Sequence, residues 1–181
     1  HVIGYSPYKV TQAYSAATHG GSAYLDGSND LLTIPASADF AFGTPSGTDN
    51  DFTIEMWIYK TKTSTNHDGL LWWGTNYERL KFHGADNKIA FSIDNTEHVL
   101  IDQTHNFLNK WSHLAIVRQG TSIKTYVNGA LQNTFTNSGT PGHSSNNLRI
   151  GKNHTSGHDF GGYLSDIRIV KGKAVYTGNF T

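Results

Sequence analysis

Apolar and polar residues alternate along this chain in the short runs of β-strands, most clearly at residues 111–129, WSHLAIVRQGTSIKTYVNG. The apolar run at residues 114–117 ends near Gln119-Gly120, and the run at residues 121–127 ends at Asn128-Gly129. Glycine turns between such runs predict antiparallel hairpins. Because residues 114–117 are apolar on both faces of the pleat, we predict a central strand that is covered on both sides.

The remaining chain continues this pattern. Residues 52–59 alternate so that one face should point to the core, namely Phe52, Ile54, Met56 and Ile58. We predict further strands at residues 22–26 and 31–34, paired around a turn, and at 70–73, 80–83, 88–93, 98–102, 130–136, 147–151 and 162–170. No segment keeps a helical period for three turns, which excludes a parallel α/β sheet. The predicted fold is an all-β, two-sheet antiparallel jelly-roll sandwich.

The predicted core takes residues from several of these strands: Leu25, Ile34, Phe52, Ile54, Met56, Ile58, Leu114, Ile116, Tyr126 and Ile150. With 181 residues and no linker, we predict one domain over residues 1–181. Residues 1–21 should form an irregular lead-in or an edge strand, and residues 172–181 a C-terminal tail.

Composition narrows the classes of function. Lys plus Arg and Asp plus Glu number 14 each, and this balance disfavours nucleic acid and anionic membranes as partners. No apolar stretch approaches the roughly 20 residues that span a bilayer, so we predict no membrane insertion. The absence of cysteine excludes thiol catalysis, Cys-ligated zinc and disulfides.

Several motifs, in order, resemble a known family. The run SAYLDGSNDLLTIP at residues 22–35 looks like the opening of a laminin-G-like, concanavalin A-type jelly roll. It is followed by FTIEMWIY at 52–59, WSHLAIV at 111–117, YVNG at 126–129, LRIG at 148–151 and GYLSDIRIV at 162–170. The ending GKAVYTGNFT at 172–181 is similar to a subgroup common in structural proteins of marine bacteriophages.

The resemblance implies two stacked, curved antiparallel sheets and often non-catalytic binding of glycan or protein. It also implies one module of a longer polypeptide that is located in a virion tail, fibre or capsid surface, or on a cell surface. Other virion proteins would then be partners, and any oligomer would form through the parent protein. Fold alone does not decide function, so the candidate sites are argued from their residues.

Retaining glycoside hydrolysis requires two carboxyl groups roughly 5–5.5 Å apart. Enzymes of this fold place them on one strand in a closely spaced Glu/Asp/Glu arrangement. The glutamates here are Glu55, Glu78 and Glu97, and none has a carboxylate two residues away. Asp51 precedes Glu55 at the end of its strand, without a third acid between them. We therefore predict that the chain is not an enzyme and that Glu55 is tied to a neighbouring strand.

A structural calcium ion is the one cofactor that the sequence suggests. Asp26, Asn29 and Asp30 supply hard oxygen ligands within one turn. Related domains often hold calcium on this fold, and Asp166 on the last strand is the fourth candidate ligand. The alternative is a turn in which the Asp26 side chain caps its own backbone.

Sugar binding pairs an aromatic platform with hydrogen-bonding side chains, because sugars have apolar C–H faces and hydroxyl edges. Trp72-Trp73, followed by Tyr77, is the best such stretch, and one of two adjacent tryptophans on a strand must point away from the core. The loop at residues 152–161 could face the same rim. The predicted glycan site consists of Trp72, Trp73, Tyr77, Asn153, His154, His158 and Asp159. The alternative is that a loop covers the outward tryptophan.

The sequence thus predicts a non-catalytic recognition module that binds glycan or another host-surface ligand. A purely structural virion domain that contacts only protein is the alternative, and a glycoside hydrolase or lyase is the third hypothesis. A large exposed apolar patch would favour the structural alternative.

Overall fold

The computed structural model describes residues 15–42, 50–63, 67–73, 79–84, 88–93, 96–101, 105–140, 145–154 and 157–181. A four-residue helix, α1 (Ala16–His19), precedes the first strand, and a 3-10 helix (Ala38–Phe40) follows the second. The strands are β1 (Ser22–Asp26), β2 (Leu32–Ile34), β3 (Phe52–Lys60), β4 (Gly69–Trp72), β5 (Arg79–His83), β6 (Lys88–Ile93), β7 (Thr96–Ile101), β8 (Trp111–Gln119), β9 (Ser122–Val127), β10 (Ala130–Thr136), β11 (Leu148–Ile150) and β12 (Gly161–Lys171).

These strands form two six-stranded antiparallel sheets. The first sheet has the order β1-β12-β3-β8-β9-β10, and the second has the order β2-β11-β4-β5-β6-β7. The predicted jelly-roll sandwich is confirmed. The predicted hairpin of β8 and β9 is present, and β8 lies in the interior of the first sheet.

The core lies between the two sheets. Strand β3 contributes Phe52, Ile54, Met56 and Ile58, all fully buried as the alternation predicts, and the second sheet contributes aromatic residues that include Phe82 and Phe91. Ile34, by contrast, is 37% exposed, because β2 is an edge strand of the second sheet. Tyr126 is buried, but in a separate cluster on the outer face of the first sheet.

Strands β1 and β2 are not partners, and the predicted strand pair at this turn is wrong. β1 pairs with β12 in the first sheet, whereas β2 pairs with β11 in the second. The intervening turn therefore crosses from one sheet to the other. Alternation within two short strands does not indicate which sheet each one joins.

The C-terminal residues 172–181 cover the outer face of the first sheet. Ala174, Tyr176 and Phe180 pack on the outward side chains of β8 and β9. The Thr53 hydroxyl donates a hydrogen bond to the Lys173 carbonyl oxygen (3.1 Å), and the Phe180 N–H donates to the Gly129 carbonyl oxygen (3.0 Å). This tail is the second cover that the apolar run of β8 predicts.

Within the described residues, no helix is long and apolar enough to cross a membrane.

Candidate functional site

A pocket of about 270 Å³ opens on the outer face of the first sheet. Its floor comes from β3, β8 and β12, and the C-terminal tail forms one wall. The lining residues are Glu55, Trp57, His113, Asn128, Gly129, Asp166, Arg168, Tyr176, Phe180 and Thr181. It therefore combines carboxylate, amide, guanidinium and aromatic groups.

Glu55 is the buried acid of this pocket and contacts both neighbouring strands. Arg168, its register partner on β12, donates to Glu55 Oε1, and His113 Nε2 on β8 lies 3.4 Å from Oε2. Burial by itself would raise the pKa of Glu55, but the adjacent His113 and Tyr176 side chains and the Arg168 guanidinium hold that pKa below its usual range. The carboxylate is thus ionised at neutral pH. The prediction that Glu55 is tied to a neighbouring strand is confirmed.

Two backbone irregularities shape the rim. The pairing of β12 with β3 shifts register between Ser165 and Arg168, and within this bulge Asp166 has a φ of 47°. A bulge of this kind redirects a side chain relative to the regular pleat. On the opposite side, the turn residue Asn128 (φ 50°) accepts a hydrogen bond from the His113 N–H through its side-chain oxygen, at 2.8 Å. The bulge in β12 and the turn after β9 thus bring Asp166 and Asn128 to the same pocket.

Aromatic rings supply the apolar part of the surface. The Trp57 ring lies 5.3 Å from that of His113, and the Tyr176 and Phe180 rings stack with centroids 3.5 Å apart. Burial and the adjacent Glu55 carboxylate raise the pKa of Tyr176 to about 12, so its hydroxyl stays protonated as a donor. Trp57 also packs against Trp111, part of an aromatic row across the same sheet.

That row is set by strand register. Tyr24 pairs with Tyr163, Tyr163 with Tyr59, and Tyr59 with Trp111, across β1, β12, β3 and β8. Successive ring centroids are 4.9, 5.9 and 5.6 Å apart. Trp57 thus connects the pocket to a continuous aromatic surface.

The structure corrects part of the predicted glycan site. Trp73 is fully buried and packs in the core against Phe42 and Phe91, so it cannot stack on a sugar. Trp72 is the tryptophan that points away from the core, as alternation requires. Tyr77 lies outside the described residues.

Asn153 and Asp159 are buried and hold the loop together, whereas the sequence predicted them on an exposed rim. Asn153 is 1% exposed and donates a side-chain hydrogen bond to the His67 carbonyl oxygen, at 2.7 Å. Asp159 is 2% exposed and pairs with Lys152 Nζ at 2.8 Å. Buried polar groups in such positions satisfy the backbone and charges around them.

The two histidines of this loop are more accessible and lie on the outer side of the second sheet. His154 Nδ1 lies 2.9 Å from the Arg79 guanidinium, and Arg79 is the register partner of Trp72. The half-buried His158 ring lies 5.9 Å from that of His67, which stacks on His83 at 4.8 Å. The structure therefore brings Trp72 and His154 to one surface, and Arg79 connects them.

The predicted calcium ligands do not all converge. Asp26 Oδ1 accepts the Ser28 N–H (2.7 Å) and Asp30 Oδ2 accepts the Asp26 N–H (2.9 Å), while the Asn29 N–H donates to Asp159 (2.9 Å). Because Asp26 pairs with Gly161 and Ser22 with Ser165, Asp166 lies about 13 Å or more along the sheet from the turn.

Asp166 is thus corrected from turn ligand to pocket residue. Among the described residues, no group of three or more His, Asp or Glu side chains is placed to hold a metal ion. The carboxylates of the turn accept backbone hydrogen bonds, as in the capping alternative.

The sequence contains a signal for part of this pocket. Glu55 and Trp57 belong to the outward-facing half of β3, and His113 is the register partner of Trp57. Alternation alone could therefore have grouped Glu55 and Trp57. The contribution of Asp166 and Arg168 depends on the bulge in β12, which no local pattern predicts.

The sequence matches the Laminin_G_3 family, described as the concanavalin A-like lectin/glucanases superfamily, over residues 26–174. The chain belongs to this superfamily. No curated protein matches the sequence. The pocket floor on β3, β8 and β12 lies within this match, whereas Tyr24 of the aromatic row precedes it and Tyr176, Phe180 and Thr181 follow it.

Solved structures with the superfamily fold resemble this chain at low identity. Domain 4 of AbnA, an extracellular arabinanase from Geobacillus stearothermophilus in complex with arabinotriose, has 16% identity and a TM-score of 0.65, over 90% of this chain and 76% of that one. The ligand binding domain of Botulinum neurotoxin serotype D, in complex with N-acetylneuraminic acid, has 16% identity and a TM-score of 0.65, over 87% of this chain and 40% of that one. A heptameric pentraxin from Limulus polyphemus has 15% identity and a TM-score of 0.58, over 86% and 77%. At these identities the likeness shows the fold.

Proposed function

We propose that this chain is a non-catalytic carbohydrate-binding module and that the pocket on the first sheet is its glycan site. The observation that carries the proposal is the combination, in one pocket, of an ionised carboxylate, an amide and aromatic rings. Related folds solved with arabinotriose and N-acetylneuraminic acid support a sugar as the ligand class.

The chemistry of the pocket fits a sugar edge better than an extended apolar ligand. Glu55 and Asp166 accept hydrogen bonds from hydroxyl groups, whereas Asn128 and Arg168 can donate. Trp57 and Phe180 offer ring surface to the C–H face of a sugar. Since Arg168 is already paired with Glu55, the pocket favours a neutral sugar over an acidic one.

The non-catalytic part of the proposal rests on the state of Glu55. A general acid of a glycosidase must hold a proton near neutral pH, and such acids have a raised pKa. The pKa of Glu55 is lowered, and its Oε1 atom is bound to Arg168. This suits hydrogen bonding to hydroxyl groups and does not suit proton donation.

The biological setting that we propose follows the resemblance of the tail to marine bacteriophage structural proteins. In that setting the module sits on a virion tail, fibre or capsid surface, or on a cell surface, and binds host glycan. A calcium ion at the Asp26–Asp30 turn remains part of the proposal as a structural ion.

A glycan array tests the proposal. The protein is displayed multivalently, and the array is run once with calcium and once with a chelator. We expect hits on neutral oligosaccharides that weaken in Asp166→Asn, a change that removes charge and keeps a residue type tolerant of positive φ. Arg149→Gln on the second sheet is the control and should leave these hits unchanged. Hits lost on chelation would give calcium a role in binding.

Two results would contradict the proposal. A blank array with folded, displayed protein would remove the glycan site. New reducing ends after incubation with a bound oligosaccharide would overturn the non-catalytic assignment.

A second function, protein-only assembly, is favoured by one observation. Four large apolar residues are 36–56% exposed on or next to the edge strands β1 and β2, namely Tyr24, Leu31, Leu32 and Ile34. Exposed apolar edges of this kind commonly mark protein contacts. A concentration-dependent dimer in solution that Leu32→Lys abolishes would support this function, and a strict monomer would argue against self-assembly.

A further inference from the structure

Asp166 brings an uncompensated negative charge to the pocket on the first sheet. Its side chain is exposed and lines the pocket, and among the described residues no cation lies within salt-bridge distance of its carboxylate. Its φ of 47°, within the bulge of β12, is a conformation that Asp and Asn adopt more readily than most residues. Of these two residues, only Asp supplies a charge. The carboxylate is therefore available to a ligand.

Arg168, the guanidinium of this pocket, is already matched by Glu55. Its Nε donates to Glu55 Oε1, its Nη2 contacts the same oxygen, and Nη2 also lies 3.3 Å from the Tyr176 hydroxyl. One positive charge thus faces one negative charge within the lining. With His113 neutral, the charged side chains of the lining are two carboxylates and one guanidinium, so Asp166 gives the pocket an excess of negative charge.

The second oxygen of Glu55 adds to this negative potential. Glu55 is 4% exposed, and its Oε2 atom makes no hydrogen bond with the described part of the chain. His113 Nε2 lies 3.4 Å from Oε2, which is longer than a usual N–H···O hydrogen bond. A buried carboxylate oxygen without a full partner favours positive charge nearby, because burial has removed its water. The floor of the pocket and its rim therefore both favour a cationic group.

The aromatic rings of the lining suit a cation as well as the C–H face of a sugar. Trp57, Tyr176 and Phe180 all contribute to the pocket. An ammonium group within about 6 Å of a ring centroid is attracted by the negative face of the ring, and tryptophan is the best partner. Because the pKa of Tyr176 is raised to about 12, its hydroxyl stays neutral and adds no charge. A ring-shaped ligand with one ammonium group would use both properties of these walls.

We propose that this pocket prefers a sugar with a protonated amine, namely a hexosamine without an N-acetyl group, and that Asp166 determines the preference. The inference rests on the proposed function and names the class of sugar that the same pocket binds most tightly. The ammonium group lies against the Asp166 carboxylate. The C–H face of the sugar packs on Trp57 and Phe180, and Asn128 donates a hydrogen bond to a hydroxyl group.

An amino sugar fits this pocket better than a lysine side chain or a metal ion does. A lysine carries its ammonium on a linear carbon chain, and it would leave the Asn128 amide without a hydroxyl partner. An amino sugar presents ammonium, hydroxyl and C–H groups on one rigid ring, which lowers the entropy cost of binding. Among the described residues, no three His, Asp or Glu side chains converge to hold a metal ion.

Oligosaccharides of β-1,4-linked glucosamine, N-acetylglucosamine and glucose, matched in length, test this preference. They share a backbone, and C2 of each sugar carries an ammonium, a neutral amide or a hydroxyl group. Titration calorimetry with the full chain, at about pH 6, keeps the amine protonated. We expect the glucosamine oligosaccharide to bind about tenfold more tightly than the other two, since it gains one charge-assisted contact. The difference should shrink as salt is raised towards about 1 M, because salt screens that contact.

Two variants of Asp166 separate its charge from its shape. Asp166→Asn keeps the size and the tolerance of positive φ, and Asp166→Gly keeps only that tolerance. In both, the preference for glucosamine over glucose should fall from about tenfold to less than about twofold, since the charge-assisted contact is lost. Asp39→Asn is the control, because it removes a carboxylate from the 3-10 helix after β2 and does not line the pocket. It should leave the preference unchanged, as a charge outside the pocket is screened.

Four outcomes would overturn the inference. Equal binding of the glucosamine and glucose oligosaccharides would leave a glycan site that does not recognise charge. Equal losses of preference in Asp166→Asn and Asp39→Asn would show general charge attraction. Tighter, Asp166-dependent binding of a lysine-rich peptide would replace the sugar with a protein ligand.

The fourth outcome separates this inference from the proposed function. A protein that has array hits on neutral glycans but does not bind the glucosamine oligosaccharide would keep the glycan site and lose the preference for an amine. A blank array together with no binding of any of the three oligosaccharides would remove both.

Discussion

Glu55 shows how one buried side chain depends on three strands. It lies on the outward half of β3, yet it is buried, because Arg168 from β12, His113 from β8 and Tyr176 from the tail surround it. Alternation predicts the face on which Glu55 lies. It does not predict burial on that face, since the covering residues come from distant parts of the sequence.

Replacing Glu55 should change how stability depends on acid. The lowered pKa of Glu55 means that its contribution is present above the unfolded-state pKa of about 4.3 and is lost as pH falls through the lower folded-state value. We expect Glu55→Gln to destabilise the fold by about 1–2 kcal/mol at pH 7, with the difference shrinking below pH 4. Urea unfolding at pH 7, 4 and 3 measures this. A difference that stays constant over that range would contradict the lowered pKa.

His105 should control stability in a higher pH range. Burial, followed by the charge of Lys110, lowers the pKa of His105 to about 4, and its Nε2 lies 2.9 Å from the buried Ser112 hydroxyl. The unfolded chain therefore takes up a proton near pH 6.5 that the folded chain rejects, so stability is lost as pH falls from 6.5 to about 4.

The neutral variant His105→Gln keeps a hydrogen-bonding group and removes the titration. We expect wild type to lose about 2 kcal/mol relative to His105→Gln between pH 7 and pH 4.5, a value reduced for partial exposure. Urea unfolding of both proteins across this pH range measures the difference in stability. Parallel pH profiles would show that the pKa of His105 is the same in the folded and unfolded chains.

At the scale of elements, the C-terminal tail depends on a close approach at Gly129. The Phe180 backbone occupies the space that a Cβ of residue 129 would need, and Gly129 has a φ of 77°. Gly120 is a matched control, because it also has a positive φ (58°) but nothing lies near its Cβ position.

Replacing each of these glycines with alanine should distinguish the cost of backbone strain from the cost of displacing the tail. Both variants incur the left-handed cost of about 1 kcal/mol, and Gly129→Ala should lose at least about 1 kcal/mol more. Urea unfolding measures the difference, and hydrogen exchange of the Phe180 N–H, which is bonded to the Gly129 carbonyl oxygen, should quicken only in Gly129→Ala. Equal losses would show that the tail is not held at this point.

The sequence predicts the positions of the strands well, but it predicts less well which strands pair with each other. The alternation in β3 and the turn glycines around β8 and β9 predict those strands nearly to the residue. The assignment of β1 and β2 to different sheets depends on long-range pairing with β12 and β11. The bulge that brings Asp166 into the pocket is likewise a property of two paired strands and is not local.

At the scale of the whole molecule, the outer faces of the two sheets carry different charged side chains. The pocket on the first sheet presents Glu55 and Asp166, whereas the second sheet presents Arg79 and Arg149. A chain with zero net charge can thus offer an acidic and a basic surface on opposite faces. A net charge of zero is therefore weak evidence against anionic partners such as nucleic acid or membranes. It does not report how the charges are distributed over the surface.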